Sequence, residues 1–121
     1  MRLLFCDGRI GSGLTRAVGL GAELDDGALA QVYAVPPDAA RWVRVNMVTT
    51  LDGSATGSDG KSGTINTPAD GVVFELLRAL SDVVLVGAGT VRDEGYGPLR
   101  VAERWAPIRA RLGLDEALPL V

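Results

Sequence analysis

VRVNMVTTLDG (Val43–Gly53), NTPADGVVFELLRAL (Asn66–Leu80) and SDVVLVGAGTVRDEGYGPLR (Ser81–Arg100) follow one another with little filler. In the first, Val43, Val45 and Met47 alternate with Arg44 and Asn46, which predicts a strand with one buried face. It runs out at Thr49-Thr50-Leu51-Asp52-Gly53, where Asp-Gly signals a turn. Asp52 therefore reads as a turn-shaping residue. Ser54–Gly63 is small, polar and glycine-rich, a surface loop beside the strand end. In the second segment Thr67 is a good N-cap, Pro68 suits the first helical position, and Asp70 at the third meets the positive end of the dipole. Val73, Leu76, Leu77 and Leu80 form the core stripe of that helix.

Asp70, Phe74 and Arg78 fall at i, i+4 and i+8 along one flank of the stripe. They span roughly 12 Å at a rise of about 1.5 Å per residue. A carboxylate, a ring and a guanidinium thus line one helix edge that an elongated ligand can follow. In the third segment the run from Val83 to Val86 reads as a strand buried on both faces, as in a parallel sheet. Gly87-Ala88-Gly89-Thr90 follows, with Thr90 expected to cap a helix opening at Val91–Glu94. Two strands separated by a helix make a βαβ unit with a right-handed crossover. The fold class expected is α/β, with a mostly parallel sheet flanked by helices. Arg100–Gly113 reads as helical or as a long excursion, and Leu118–Val121 as the first residues of another strand.

Upstream, Met1–Glu23 is read as an irregular arm. Leu3–Phe5 suits a short strand, and Gly8, Gly11 and Gly13 imitate a phosphate loop without a convincing strand before them or a periodic helix after them. Asp26–Tyr33 suits a short helix capped by Asp26, with Leu29, Val32 and Tyr33 on one face and Pro36-Pro37 ending it. The expected division is residues 1–41, arm and short helix, and residues 42–121, the body of the domain.

The 121 residues suffice for one modest domain. At 47% hydrophobic and 22% charged the chain is globular in composition. Its net charge is −3 and it carries no basic stripe, which argues against a nucleic-acid partner. Histidine is absent, which removes histidine triads, histidine bases and histidine-containing zinc sites; the single Cys6 excludes an internal disulfide. No metal site is expected. No apolar run approaches the roughly 20 residues of a membrane span, and the apolar start is too short for a signal peptide. The expected location is cytoplasmic.

Each candidate site residue has a plainer alternative. Gly87–Thr90, at a strand-to-helix junction, offers N–H groups to an anion, or is a tight turn without a ligand. Asp70 recognises a ligand or supplies a proton, or only stabilises the helix start by ~0.3–1 kcal/mol. Arg78 binds a phosphate, or pairs on the surface with Glu75 or Asp82. Thr49, Thr50, Ser62, Thr64 and Thr67 surround one loop with hydroxyls, as polar loops commonly do.

The wording VNMVTTLDGSATG and TPADGVVFELLRALSDVVLVGAGTVRDEGYGPLR resembles the pyrimidine reductase family of riboflavin biosynthesis, the domain at the C-terminus of bifunctional RibD proteins. The preceding DDGALAQVYAVPPDAARWVRVN is similar to stand-alone members. The resemblance implies a dihydrofolate-reductase-like fold, a homodimer, NADPH as cofactor, and reduction of a phosphoribosylaminopyrimidine to its ribitylamino product. It implies that Val48 and Thr49 line the nicotinamide side, and that Ser62 and Thr64 touch substrate and cofactor, although Thr64 stands where the family usually has tryptophan. Arg78, Leu99 and Arg100 match substrate-binding positions. Thr90, with Glu94 or Asp93, matches cofactor contacts after the glycine turn, and Gly87 and Gly89 of that turn join them as cofactor-binding candidates. Pro68-Ala69-Asp70 is also similar to the helix start of dihydrofolate reductase, which makes Asp70 the first candidate to orient the ring and serve catalysis.

Relatives in this family continue into further strands, a glycine-rich dinucleotide loop and a glutamate in an EGGP-type motif. None of these follows Arg100 here, so the chain reads as the N-terminal, apparently truncated half of the reductase domain. The alternatives carried from the sequence are a dihydrofolate or pterin reductase and an inactive nucleotide-binding half-domain.

Overall fold

The computed structural model describes residues 21–121. The expected arm Met1–Glu23, with its short strand and glycine series, lies almost wholly outside the described residues. The chain divides into two compact units, Met1–Arg44 and Val45–Val121.

The described part of the first unit contains helix α1, Asp26–Val32. Its N-cap is Asp25, one residue before the expected Asp26, and the Asp25 carboxylate accepts from the Ala28 N–H at 2.8 Å. Asp26 instead supplies first-turn negative charge. Leu29 is the buried residue of this helix. Tyr33 ends it, and the Arg44 guanidinium donates to the Tyr33 carbonyl.

In the second unit, a 3-10 turn at Ser62–Ile65 leads into α2, Pro68–Ala79. The start of α2 follows the sequence signals: the Thr67 hydroxyl accepts from the Asp70 N–H at 3.2 Å, with Pro68 in the first turn. Val73, Leu76, Ala79 and Leu80 are buried, while Leu77 is half-buried. Helix α3 is Ala88–Glu94 and ends on left-handed Gly95 (φ 69°), the conformation that favours glycine at this position. Helix α4 is Ala106–Arg111, inside the stretch expected to be helical or an excursion. It packs against α2. Trp105 and Leu76 are fully buried, and Ile108 and Leu118 join them in the core.

The expected α/β architecture, a dihydrofolate-reductase-like parallel sheet, is not what the described residues form. Among them are four short helices and a 3-10 turn, and the second unit has an isolated parallel bridge, Val84 to Leu120, in place of a sheet. Around that bridge the Val84 N–H donates to the Pro119 carbonyl at 3.0 Å, the Val121 N–H to Val84 at 2.9 Å, and the Val86 N–H to Val121 at 2.8 Å. The segment ending at Val121 does meet the Val83–Val86 run in parallel, but for too few residues to make a strand. Residues 42–49 find no backbone hydrogen-bond partner among the described residues. Val43 is 87% exposed and Val45 83%. The Val83–Val86 run is not covered on both faces either, since Leu85 is 82% exposed. An alternating or apolar pattern makes a strand only when a neighbour takes its N–H and C=O groups, and two short paired segments are marginal without more strands or a covering helix. The expected βαβ unit fails for the same reason.

One side chain ties three segments of the second unit together. Arg109 on α4 is 3% exposed. Its Nη1 donates to the Ser81 carbonyl at 2.6 Å and reaches Ala79 at 3.4 Å and Arg78 at 3.5 Å. Nε donates to Asp115 at 2.5 Å and Nη2 to Ala117 at 3.1 Å. The guanidinium thus satisfies carbonyls at the C-terminal, negative end of α2, where a cation is favoured.

Candidate functional site

The Thr50–Ser54 turn is built by its own polar atoms. The Thr50 N–H donates to the Ser54 carbonyl at 2.9 Å, and the Gly53 N–H donates back to Thr50 at 2.9 Å, with Gly53 at φ 87°. Asp52 accepts from the Thr50 hydroxyl and from the Ser54 N–H. Those two bonds, the hydroxyl first, hold its carboxyl below the usual range. Asp52 shapes its turn, as its sequence context suggests. Thr49 is exposed and Val48 half-buried beside it.

The following loop closes on itself and then on α3. Asp59 accepts from the Lys61 N–H at 3.0 Å and from the Thr64 hydroxyl at 2.9 Å, and these bonds depress its pKa. A Cβ at Gly57 would stand 1.9 Å from the Thr64 hydroxyl oxygen, so a side chain there would have to displace that hydroxyl. The hydroxyl of Thr64, a residue expected at the cofactor, thus holds this loop. Ser62 reaches across to Glu94, and both its N–H and its hydroxyl donate to the Glu94 carboxylate at 2.8 Å. The backbone bond is the larger cause of a lowered Glu94 pKa, the hydroxyl bond the second. Two residues 32 apart in sequence, one expected at the substrate and one at the cofactor, are thus brought together.

At the glycine turn the helix starts earlier than expected. Gly87 is the N-cap of α3, and Thr90 lies inside the first turn. The Gly87 backbone enters the helix directly, so no Thr90 cap is needed. Gly87, Gly89 and Thr90 are exposed, and a Cβ on Gly89 would meet nothing within 4 Å. These glycines are not forced by neighbouring protein atoms. Asp93 and Arg100 are exposed and Leu99 is half-buried.

Along α2, the Arg78 guanidinium lies over the Phe74 ring, 4.2 Å from its centroid. Among the described residues Arg78 makes no ion pair with Glu75 or Asp82, and its buried Nε has no acceptor. The surface-pair alternative is thereby set aside. Half-buried Asp70 has its N–H on Thr67, while its carboxylate has no partner among the described residues. The ring and the guanidinium meet as the helical spacing implies, and the Asp70 carboxylate is left available.

Two structural residues escaped the sequence reading. Asp59 gave no signal beyond lying in a polar loop. Arg109 had one: it sits four residues after Trp105 and one after Ile108, on the buried face of its helix.

The RibD C-terminal domain family matches this chain over residues 41–110, more than half its length. The chain belongs to the RibD C-terminal domain family. That family places it among reductase-like domains of the riboflavin pathway. The match covers the 43–53 segment, the loop, α2, the glycine turn and α3, and ends just after Arg109. No curated protein matches the chain. Among the described residues no helix is long and apolar enough to cross a membrane, and no group of three or more histidine, cysteine or acidic residues is placed to hold a metal.

Proposed function

We propose that this chain carries the substrate-facing part of an NADPH-dependent reductase that acts on a phosphoribosylaminopyrimidine. The observation that carries the reading is Arg78: within the family match, it is a half-buried guanidinium stacked on Phe74 and without a carboxylate partner among the described residues. Such a group suits a phosphate ester, for which arginine supplies charge and a planar donor fork. Asp70, on the same helix edge, is the candidate for orienting the pyrimidine and for serving its proton transfer. Ser62, Leu99 and Arg100 complete the substrate side.

The glycine turn fits a dinucleotide. Gly89 leaves open space, a Cβ at Gly87 would meet only the Thr90 hydroxyl oxygen at 3.9 Å, and the N–H groups at the start of α3 have no acceptor among the described residues. Thr90, Asp93 and Glu94 follow on α3, with Val48, Thr49 and Thr64 assigned to the nicotinamide side. The cofactor supplies the hydride, and the protein supplies orientation and electrostatics. In this reading Glu94 holds the Ser62 loop against α3, joining the cofactor and substrate sides. The protein is expected to work as a cytoplasmic homodimer.

The test is NADPH oxidation with 5-amino-6-(5-phosphoribosylamino)uracil, beside dihydrofolate as the competing substrate. Turnover of the pyrimidine and not of dihydrofolate supports the reading. The reverse preference replaces the substrate with a pterin. NADPH binding, followed by Trp42 or Trp105 fluorescence, without turnover of either compound makes this a nucleotide-binding unit and overturns the reductase reading for this chain.

A further inference from the structure

We propose that Arg109 is a positioning residue for Arg78, and that it sets the affinity of the α2 edge for a phosphate-bearing ligand. The proposal rests on the reading of Arg78 as the phosphate-binding residue.

Arg109 is a buried arginine with no carboxylate partner among the described residues, an unusual choice for packing alone. A buried charge costs desolvation, and an apolar side chain of similar volume commonly packs as well or better. Here the cost is offset by carbonyls rather than by a counter-charge: Ser81, Ala79 and Arg78 at the end of α2, and Asp115 and Ala117 beyond α4. The planar fork reaches two segments at once, which a lysine ammonium cannot reproduce. The result is a fixed register between the end of α2, the α4 helix and residues 115–117.

Arg78 lies inside that clamp. Its own carbonyl is one of the acceptors of Arg109 Nη1, and the carbonyl of the next residue is another. The same residue projects its side chain onto Phe74 and buries its Nε without an acceptor among the described residues. A side chain held by a ring on one side and by its own backbone on the other loses little conformational freedom on binding an anion. Releasing the backbone at residues 78–81 unfastens one of those two holds. The Phe74 stack alone leaves the guanidinium free to swing with the frayed last turn.

The experiment uses Arg109→Lys and Arg109→Met in the full chain, each alone and combined with Arg78→Ala. The first readout needs no activity: the Nε–H resonance of Arg78, assigned by its loss in Arg78→Ala. It is expected to shift and to exchange faster with solvent in both Arg109 variants. The second is binding of ribose 5-phosphate, expected to weaken about tenfold in Arg109→Met and less in Arg109→Lys. In the Arg78→Ala background neither Arg109 substitution should weaken binding further. An unmoved Arg78 resonance in a folded variant, or losses that simply add in the double variants, overturns the proposal. If Arg109→Met does not fold, Arg109→Lys decides by the same two readouts. If both unfold, Phe74→Ala decides: an Arg78 Nε–H that stays slow to exchange without the ring supports the clamp, and fast exchange overturns it. A protein that moves its Arg78 resonance as expected yet turns over no pyrimidine keeps the positioning role and loses the reductase reading. A working reductase with an unmoved resonance does the opposite.

Discussion

Arg78 and Glu94, both residues of the proposed site, differ in what surrounds them. Arg78 stacks on Phe74 and meets no carboxylate among the described residues. Arg78→Ala is expected to raise KM for the phosphorylated pyrimidine well above any change in KM for NADPH. Equal rises in both would make Arg78 structural. Glu94 is engaged instead, by two donors from Ser62. Its pKa is lower in the folded protein than in the unfolded chain. Its contribution is therefore fully present above the ordinary glutamate pKa and is lost as the pH falls through the depressed folded value. Asp52 and Asp59 are depressed in the same direction and respond in the same acidic window. The Ser62 amide resonance should titrate with a midpoint below that of a free glutamate and stay flat from pH 6 to 8. In Glu94→Gln the acid transition should vanish and Ser62 amide exchange should speed up; an unchanged titration would assign the transition to another group.

At the scale of the element, α2 is the best-specified piece of the molecule, and two substitutions separate the reasons. Thr67→Ala removes the acceptor for the Asp70 N–H and is expected to cost about 1 kcal/mol. Leu76→Ala empties a fully buried position and is expected to cost ~2–5 kcal/mol. Denaturant melts give both, and a cap loss as large as the core loss would mean that α2 is held by its start rather than by its packing. The cap, the proline, the acidic third position and most of the core stripe were legible because each acts within one or two turns. The start of α3 was less legible: Thr90 is a better capping residue than Gly87, but the backbone turns into the helix at Gly87. The strands were least legible. Alternation at Val43–Met47 states which face would be buried if a neighbour were present, and says nothing about whether one is.

For the whole molecule the consequence is exposed apolar surface. Val43, Val45, Met47 and Leu85 are each more than two-thirds exposed. Such side chains favour association. The triple variant Val43→Thr, Val45→Thr, Met47→Thr is expected to lower concentration-dependent light scattering while leaving the melting temperature within a few degrees of wild type. A large drop in melting temperature would show these residues to be buried in solution.

Family, the capped helix α2, the Asp52-Gly53 turn and the residue types along the α2 edge could be read directly from the order of amino acids. Their causes are local: caps, turns and helical spacing involve atoms a few residues apart. The burial of Arg109, the Ser62–Glu94 link and the shortness of the Val84–Leu120 pairing were decided only by tertiary structure. Arg109 reaches Ser81 across 28 residues and Ser62 reaches Glu94 across 32. No window of sequence contains both partners of such a pair, and nothing in an arginine or a glutamate states which distant atoms it will meet. The same physics separates the helices, whose hydrogen bonds close within four residues, from the expected sheet, whose bonds depend on a neighbour arriving from elsewhere.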